Sequence, residues 1–344
     1  MADRIVLLVD MDAFFAQIEE RENPQFRGKP LVVGADPKQG KGRGVVSTAN
    51  YEARKYGIKS AMPISEAWQR CPAAIFIQPD IELYQEVSEK IMEVVKKYSP
   101  VAEVVSMDEA YIDVSFLKSF KKAKEYAQQL KNEILKKEKL PCTIGIGPNK
   151  IIAKIACEQA KPNGLKAVEL SEVEDFLAPL DIRELPGVGP KTAEKFRGMK
   201  INKIGEIRNL SKSDLKNIFG KTGEYFYCNS RGQDDEPVVA EREIKSIGKE
   251  HTFEKDTRDP EIIFKTFEDI TKALYDELAE NGCQFKTITV VCRFCGWETH
   301  TKSKTLDKAS KDIKVLSGEA KIMLLKFIIG NLKPVRLIGL RLKI

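Results

Sequence analysis

Adjacent carboxylates interrupt an apolar stretch of this sequence. The segment VVSMDEAYIDV carries Asp108 and Glu109 in its middle, and an earlier apolar run, RIVLLVDMD, ends in Asp10 and Asp12. Carboxylates that lie close together raise one another's pKa unless positive charge neutralises them. Mg²⁺ supplies such charge and leaves positions for phosphate oxygens, so Asp10, Asp108 and Glu109 predict a site for phosphoryl transfer. In the alternative interpretation, Asp10 and Asp12 cap the next helix and the other two acids are turn residues.

A basic segment, STANYEARKYGIKSAMP, follows a loop rich in glycine and lysine. It places Tyr51, Arg54 and Lys55 in the first turns of a predicted helix. A helix start and an arginine both suit a phosphate group, although a solvated amphipathic helix explains the same residues. The loop itself, GADPKQGKGRG, is not a P-loop, because it lacks the GKS or GKT ending.

The segment LPGVGPKTAEKF is typical of a helix-hairpin-helix. Gly187 and Gly189 let backbone N–H groups approach a DNA phosphate closely, and Lys191 adds positive charge at the start of the following helix. Such a motif binds duplex DNA without reading its sequence. A plain turn between two helices is the alternative.

The acids need a sheet edge that brings them together, and the pattern of elements supplies one. RIVLLVDMD reads as a central strand, amphipathic helices are predicted over 81–98 and 120–138, and CTIGIG reads as another strand. With the acidic segment as a hairpin, the order is βαββαβ, a sheet with helices on one face. We expect the hairpin to bend near Ser106–Glu109, because in a straight strand Asp108 and Glu109 would point to opposite faces.

The second half of the chain changes character twice. After AKPNGL, short helices separated by turns predict a small helical domain, and RGQDDEPVVAERE is polar and typical of a linker. Beyond it, three strands and two amphipathic helices, near 260–280 and 318–331, predict an α+β module. Residues 245–344 hold nineteen Lys and Arg against fourteen Asp and Glu, which supplies most of the net charge of +6. That surplus suits a polyanion, and a solvated surface explains it equally well.

Length and composition indicate a globular protein of two or more domains. Of 344 residues, 42% are apolar and 31% are charged, and no apolar run approaches the roughly 18 to 20 residues that cross a bilayer. We therefore expect a cytoplasmic protein with no membrane partner. Seven scattered cysteines suit a reducing compartment. Cys292 and Cys295 could ligate zinc with Cys283 and His300, but the alternation of TITVVCRFC favours cysteines in a strand.

Five motifs occur in one order: VDMDAFFAQIEE, STANYEARKYGIKSAMP, VVSMDEAYIDV, GIGPNKIIAKIACEQAKPNG and LPGVGPKTAEKF. Together they resemble the Y-family translesion DNA polymerases, and most nearly the DNA polymerase IV branch of archaea and bacteria. The resemblance runs from residue 5 to the end and is looser after 245. It implies a multidomain α+β fold, a right hand with a ferredoxin-like palm. The implied domains are a palm at 1–12 and 79–166, fingers at 13–78, a helical thumb with the helix-hairpin-helix at 167–232, a linker at 233–244 and an α+β little finger at 245–344.

The resemblance also implies roles for individual residues. The implied ligands of two Mg²⁺ ions, with Mn²⁺ as a substitute, are Asp10, Asp108, Glu109 and the carbonyl of Met11. The implied nucleotide contacts are Tyr51, Arg54, Lys161, Thr48 and the backbone of Phe14 and Phe15. Phe15 is also the implied steric gate that excludes a ribose 2′-hydroxyl, and Val45 and Ala61 are the small residues above the templating base. The implied DNA contacts are Gly187, Gly189, Lys191, Lys245 and Lys249.

The implied activity is DNA-templated DNA synthesis from a primer 3′ end, by a monomer whose partners are primer–template DNA and a dNTP. The resemblance chiefly implies low fidelity and bypass of damaged bases. Since every segment is assigned and none is left for an exonuclease, we also expect no proofreading. Met11 and Ala13 stand where relatives often carry aromatic residues, without affecting the chemistry. A sliding clamp is left open as a partner, because family members often bind it through a C-terminal tail, whereas this chain stops within RLIGLRLKI.

Two functions of other classes compete with this interpretation. A non-catalytic helix-hairpin-helix repair scaffold would explain DNA binding but not the three acids. A nucleotide cyclase would explain the acids on a similar sheet, but it would have no use for a thumb.

Overall fold

The computed structural model of the chain describes residues 4–241 and 243–344. It divides into two compact units, residues 1–242 and residues 243–344. No helix in these described residues combines the length and apolar character that a bilayer crossing requires.

The first unit contains eight strands and ten α-helices within its described residues. In chain order they are β1 (Val6–Met11), α1 (Phe14–Glu22), β2 (Leu31–Gly34), β3 (Val46–Ala49), α2 (Tyr51–Arg54), α3 (Ile64–Arg70), β4 (Ile75–Ile77), α4 (Ile81–Lys96), β5 (Ala102–Val104), β6 (Glu109–Asp113), α5 (Phe120–Glu138), β7 (Cys142–Gly147), α6 (Lys150–Ala160), β8 (Leu165–Ala167), α7 (Val173–Leu177), α8 (Pro190–Gly198), α9 (Lys212–Phe219) and α10 (Lys221–Asn229).

A five-stranded sheet forms the centre of this unit, in the order β5-β6-β1-β7-β8. Strand β1 pairs antiparallel with β6 and β7, and every residue of β1 is buried. The predicted βαββαβ order is present, with α4 and α5 packed on one face and β8 added beside β7. The helices are not confined to one face, however. Ala153 and Cys157 of α6 pack against Val6 and Leu8 on the other face.

The predicted linker is partly packed against the sheet. Val238 is only 7% exposed and joins the cluster of α6 and β1 side chains. The buried ion pair of Lys150 and Glu103, with 2.6 Å between Nζ and Oε2, lies beside it. Glu103 also accepts the Val239 N–H at 3.1 Å. Residues around 238 are therefore packed on the sheet. The polar composition and the proline of this segment predicted a linker and did not indicate such packing.

Two smaller substructures complete the unit. A three-stranded sheet in the order β3-β2-β4 packs against α2 and α3 through a separate apolar cluster. Helices α7 to α10 form the predicted helical domain around Phe196 and Phe226. In the three-stranded sheet, Thr48 of β3 lies opposite Val33 of β2.

The second unit is a four-stranded antiparallel sheet with two helices on one face. Its elements are β9 (Ser246–Thr257), α11 (Pro260–Glu280), β10 (Phe285–Phe294), β11 (Thr299–Ser310), α12 (Ile313–Gly330) and β12 (Val335–Lys343), and the strand order is β11-β10-β12-β9. Strand β11 is absent from the sequence prediction. It is an edge strand of mostly exposed threonine, serine and lysine residues, so it lacks the alternation that identifies a half-buried strand.

Among the described residues, the cysteines of the second unit do not belong to a converging group of three metal-ligating side chains. Cys292 is buried in β10, and all seven cysteines of the chain are free. His300 contacts Glu298, with 2.7 Å between Nε2 and Oε1. Cys292 thus lies in a strand as predicted, whereas Cys295 begins the short turn Cys295–Trp297 that follows β10.

Candidate active site

Asp10 and Glu109 are direct partners across neighbouring strands, because β1 and β6 pair in the register that sets them opposite each other. The β5–β6 hairpin turns through residues 105–108, as the bend near Ser106 predicted. Ser106 Oγ donates to Asp108 Oδ1 at 2.6 Å and accepts the Glu109 N–H at 3.1 Å. The Met11 N–H donates to the Asp108 carbonyl at 2.9 Å. Two segments almost a hundred residues apart in the chain thus meet at one sheet edge.

Two lysines neutralise these acids. Lys161 Nζ lies 2.7 Å from Asp10 Oδ2, and Lys154 Nζ lies 2.7 Å from Glu109 Oε1. Lys161 also contacts Glu158 Oε1 at 2.7 Å. The sequence prediction contained Lys161 but neither Lys154 nor Glu158. Both missed residues lie on α6, where lysine and glutamate are ordinary surface residues.

The pKa values of Asp10 and Lys161 are shifted by burial and by their neighbours. Burial raises the pKa of Asp10 to about 7, with Lys161 opposing the rise and Glu109 adding to it. Burial lowers the pKa of Lys161, but the charges of Asp10 and Glu158 more than offset this and raise it above its usual value. A second cation near Asp10 would therefore favour the ionised carboxylate strongly.

The donor set fits a divalent cation. Within the described part of the chain, one group of three metal-ligating side chains converges: oxygen atoms of Asp10, Glu109 and Glu158 lie within 4.8 Å of one another. Asp108 stands outside that group but lines the same pocket as Asp10. Carboxylate oxygens are the ligands that hard divalent ions prefer.

The pocket beside these acids gathers most of the predicted nucleotide contacts. Its volume is about 110 Å³. It is lined by Asp10, Met11, Ala13, Phe14, Thr48, Tyr51, Arg54, Ser60, Asp108 and Lys161. The pocket therefore combines two carboxylates with an arginine, a lysine and hydroxyl groups, and the lysine is paired directly with Asp10.

Helix α2 presents Tyr51 and Arg54 to this pocket. Asn50 caps the helix by accepting the Ala53 N–H at 2.9 Å. Arg54 donates from Nε to the Ala49 carbonyl at 2.9 Å, and its guanidinium lies 4.8 Å from the centre of the Tyr51 ring. Burial and the Asp12 carboxylate raise the pKa of Tyr51 to about 12, so its hydroxyl stays protonated near neutral pH.

Asp12 is a structural anchor of the site and caps no helix. It is almost fully buried and accepts hydrogen bonds from Thr143 Oγ1 at 2.8 Å, the Asn163 N–H at 2.8 Å and the Tyr51 hydroxyl at 3.2 Å. Helix α1 begins after Ala13 with no side-chain cap. Asp12 therefore connects the loop after Lys161 to α2, a role that its position in the sequence did not reveal.

Phe15 rests on a buried aromatic ring. The rings of Phe15 and Tyr84 are stacked, 4.4 Å apart and inclined by 16°. The Tyr84 hydroxyl donates to Glu19 Oε1 at 2.6 Å, and this hydrogen bond fixes the orientation of the Tyr84 ring. Phe14 is buried in the core, whereas Phe15 is only partly buried. The pair Phe15–Tyr84 is thus a rigid platform next to the pocket.

Val45 and Ala61 lie close together on the surface. The Ala61 N–H donates to the Val46 carbonyl and the Val46 N–H donates to the Met62 carbonyl, both at 2.9 Å. Ala61 has a left-handed backbone with φ of 65°. Val45 is about half exposed. Two small side chains are therefore held at one edge of the three-stranded sheet.

In the segment LPGVGPKTAEKF, no side chain caps the N-terminus of α8. Gly187 has φ of 88°, and Gly189 precedes α8 with no side-chain cap on the first turn. Gly187, Gly189 and Lys191 are all exposed. The preceding helical segment is a single short turn, Ile182–Glu184, so the first helix of the motif is minimal.

The two lysines of the second unit that are predicted to contact DNA differ in their surroundings. Lys245 precedes β9 and is exposed. Lys249 lies on the helix-covered face of the sheet, where its Nζ is 2.8 Å from Glu277 Oε2 of α11. This placement argues against a DNA contact by Lys249. The open face instead carries hydroxyl pairs, among them Thr289 with Ser303 at 2.8 Å, and Arg293 hydrogen-bonded to Thr299.

Family profiles match the chain in three places. The impB/mucB/samB family matches residues 9–158, and the C-terminal domain of that family matches residues 244–343. The thumb domain of DNA polymerase-iota matches residues 183–234.

Curated relatives cover nearly the whole chain. DNA polymerase IV 2 of Methanosarcina mazei is 41% identical over 337 residues, which span 98% of this chain and 91% of the relative. DNA polymerase IV of Methanoculleus marisnigri is 42% identical over 339 residues, which span 98% and 94%.

Solved structures have the same fold. The Y-family DNA polymerase chimera Dbh-Dpo4(243-245)-Dbh superposes with a TM-score of 0.90 at 36% identity, and 98% of both chains is covered. An insertion ternary complex of Dbh DNA polymerase gives a TM-score of 0.69 at 36% identity, with the same coverage. The predicted multidomain α+β polymerase fold is confirmed. The chain belongs to the impB/mucB/samB family and is a Y-family translesion DNA polymerase of the DNA polymerase IV branch.

Proposed function

We propose that this chain extends the 3′ end of a DNA primer by template-directed addition of dNTPs, with low fidelity, without proofreading and across damaged template bases. The observation that carries the proposal is the pocket that Asp10 and Asp108 line together with Arg54 and Lys161. Carboxylates and cationic groups in one pocket suit a metal-bound triphosphate. A polymerase needs both, since phosphoryl transfer depends on positioning and charge neutralisation.

We propose Mg²⁺ as the cofactor, with Mn²⁺ as a substitute, held by Asp10, Asp108, Glu109 and the Met11 carbonyl. When bound, two such ions would neutralise charge on the attacking and leaving oxygens. The carboxylate of Glu158 lies close enough to Asp10 and Glu109 to add negative charge to that site. The present ion pairs with Lys154 and Lys161 supply the positive charge that the acids require before an ion binds.

Nucleotide binding falls to the cationic and hydroxyl-bearing residues of the pocket. Lys161, Arg54 and Tyr51 would contact the triphosphate, with Thr48 and the backbone of Phe14 and Phe15 beside them. The exposed guanidinium of Arg54 keeps its fork free on the side away from the Ala49 carbonyl, which leaves donors for phosphate. Lys161 would exchange part of its contact with Asp10 for a phosphate oxygen.

Sugar and template selection follow from shape. A 2′-hydroxyl on the incoming nucleotide would collide with Phe15, whose ring is supported by Tyr84. Val45 and Ala61 would form the roof over the templating base, where their small side chains leave room for a damaged base. The same open roof would lower fidelity, because it tests the shape of the base pair weakly.

The domain roles are also proposals. Residues 1–12 and 79–166 would form the palm, 13–78 the fingers, 167–232 the thumb, 233–244 the linker and 245–344 the little finger. Gly187, Gly189 and Lys191 would contact the duplex backbone, together with Lys245. In the second unit we assign the remaining DNA contacts to the open face of the sheet, represented by Arg293 and Thr289, because Lys249 points to the other side. Affinity for DNA should fall as salt rises.

One experiment separates the proposal from its competitors. The full chain is given Mg²⁺, a labelled primer on a template with either a normal or an abasic site, and dNTPs. A polymerase of this kind extends the primer on both templates, and extension beyond the abasic site identifies bypass. Binding without extension would indicate a repair scaffold, and conversion of ATP or GTP to a cyclic nucleotide without DNA would indicate a cyclase.

A further inference from the structure

The outer surface of α12 is apolar, although it lies on the exposed side of the second unit. Ile322, Leu325 and Ile329 are 51%, 44% and 73% exposed. The opposite side of the same helix is buried against the sheet through side chains such as Leu316 and Leu324. A helix that is apolar on both sides normally has a partner on each of them.

The apolar outer surface is a property of α12 that the neighbouring helix of the second unit does not share. Helix α11 packs on the same sheet face, and its exposed positions are mostly charged, for example Glu261, Lys265 and Asp269. A solvated helix in this place therefore does not need an apolar outer surface. Three large aliphatic side chains in one row are more than scattered surface residues.

The spacing of the row identifies the shape of its partner. Gly318, Ile322, Leu325 and Ile329 follow one another at intervals of four, three and four residues. This is the interval of the contact positions in a coiled coil, and it places all four on a narrow strip of one helix. Leu332, which follows the end of α12, is another large aliphatic side chain and is 77% exposed. A second helix laid along the strip would cover it.

The charges beside the strip identify the chemistry of that helix. Lys314 and Lys321 lie on one side and Lys326 on the other. Lys321 pairs with Glu268 at 2.6 Å, whereas Lys314 and Lys326 have no ion pair within the described residues. Glu319 is the acid nearest the strip, and Lys304 neutralises it at 2.6 Å. The flanks are therefore positive.

A second copy of the chain fits these flanks poorly. Pairing two α12 helices would bring lysines against lysines, and like charges at such positions weaken association. Nucleic acid does not match an apolar strip. We propose that the strip formed by Gly318, Ile322, Leu325 and Ile329 is a docking surface for an amphipathic helix of another protein, with aliphatic contact residues and acidic flanks.

The test uses the full chain and two synthetic probes. One is a fluorescein-labelled 21-residue helical peptide with leucine at the contact positions and glutamate on both flanks, and the other replaces each glutamate with lysine. Fluorescence anisotropy should show binding of the acidic peptide, with the basic peptide at least about tenfold weaker. Ile322→Glu and Ile329→Glu should each weaken binding at least about tenfold. Ile262→Glu, at an exposed apolar position of α11, should leave it unchanged.

A charge swap makes the test sharper. Lys314→Glu combined with Lys326→Glu should reverse the preference, so that the basic peptide binds better. Primer extension by every variant should stay within about twofold of the parent chain, since none of these residues lies in the active site; this shows that each variant is folded.

Four results would overturn the proposal. The first is that neither peptide binds, and the second is that Ile329→Glu binds the acidic peptide as well as the parent chain. The third is a dimer in sedimentation velocity that Ile329→Glu converts to a monomer, which would make a second copy the partner. The fourth is binding to phosphatidylglycerol vesicles in place of the acidic peptide, which would indicate a membrane surface.

Discussion

The Nζ atom of Lys161 lies 2.7 Å from Oδ2 of Asp10, across 151 positions of the sequence. Lys161 follows α6, and Asp10 is the penultimate residue of the central strand β1. The pair joins the residue proposed to bind phosphate to the residue proposed to bind metal. Under this proposal, Lys161 would neutralise Asp10 before the nucleotide binds and the triphosphate afterwards.

Replacing Lys161 should weaken nucleotide binding more than DNA binding. A hydrogen bond to a charged group contributes about 1.5–3 kcal/mol, so Lys161→Met should raise the dNTP concentration for half-maximal insertion roughly 10- to 100-fold. Single-turnover insertion at varied dNTP measures this, and Lys161→Arg should lose less because it keeps the charge. Lys166→Met is the control. An unchanged dNTP dependence in Lys161→Met would remove this residue from the site.

Removing the ring of Phe15 should admit ribonucleotides. We expect Phe15→Ala to raise insertion of rNTPs relative to dNTPs by about two orders of magnitude, since a steric clash of roughly 3 kcal/mol is relieved. Competition between the two nucleotides at one template position measures it. Tyr84→Ala should produce part of the effect, because Phe15 stacks on that ring, while Tyr84→Phe keeps the ring and should leave sugar selection intact. If Phe15→Ala discriminates like the parent chain, the gate lies elsewhere.

Asp12 should matter for stability although it is not a proposed metal ligand. Its carboxylate accepts bonds from Thr143, Asn163 and Tyr51, and its loss leaves buried donors without acceptors. We expect Asp12→Ala to lower the free energy of unfolding by about 3 kcal/mol and to weaken dNTP binding. Urea denaturation measures the first effect. Asp276→Ala, at an exposed position of α11, is the control and should change stability little. A fully stable Asp12→Ala protein would contradict the anchoring role.

Parts of this site could be predicted from sequence and others could not. Asp10 and the Asp108–Glu109 pair interrupt apolar strands, which makes them visible against their surroundings. Lys154 and Glu158 are the less buried polar residues of a mostly apolar helix, and their significance appears only when α6 crosses the sheet to reach Glu109, 45 residues away from Lys154. Asp12 was visible as an acid, but its partners lie up to 151 positions away.

The fold, like the site, has elements that could be predicted from sequence and elements that could not. Helices α4 and α5 have strong apolar periodicity, and the structure places them where the sequence predicted. Strand β11 has no apolar face, because it is an edge strand, and the orientation of Lys249 depends on strand register that composition does not determine. Segments with a buried face are thus predictable, whereas edges and pairings across the chain require the structure.

The buried pair of Lys150 and Glu103 should be a larger determinant of stability than surface pairs. Both side chains are at most 5% exposed, so removing Lys150 takes a cation from a buried carboxylate, and removing Glu103 leaves the buried Lys150 ammonium to the largely exposed Glu236, 3.3 Å away. Lys150→Met or Glu103→Leu alone should each cost about 3–5 kcal/mol in urea denaturation, and the double variant should cost less than their sum. Lys137→Met, which breaks the exposed pair with Glu133, should cost about 1 kcal/mol or less. Equal costs for the buried and exposed pairs would contradict this expectation.

The central claim is that Asp108 acts with Asp10 and Glu109 on the reacting phosphate. The most direct measurement is rapid-quench insertion of one dNTP by Asp108→Ala, with primer–template affinity measured on the same protein. Each 1.4 kcal/mol is a factor of ten, so loss of several kcal/mol of transition-state stabilisation should slow insertion at least about a thousandfold while DNA affinity stays unchanged. Insertion at nearly the parent rate would contradict the assignment of the active site.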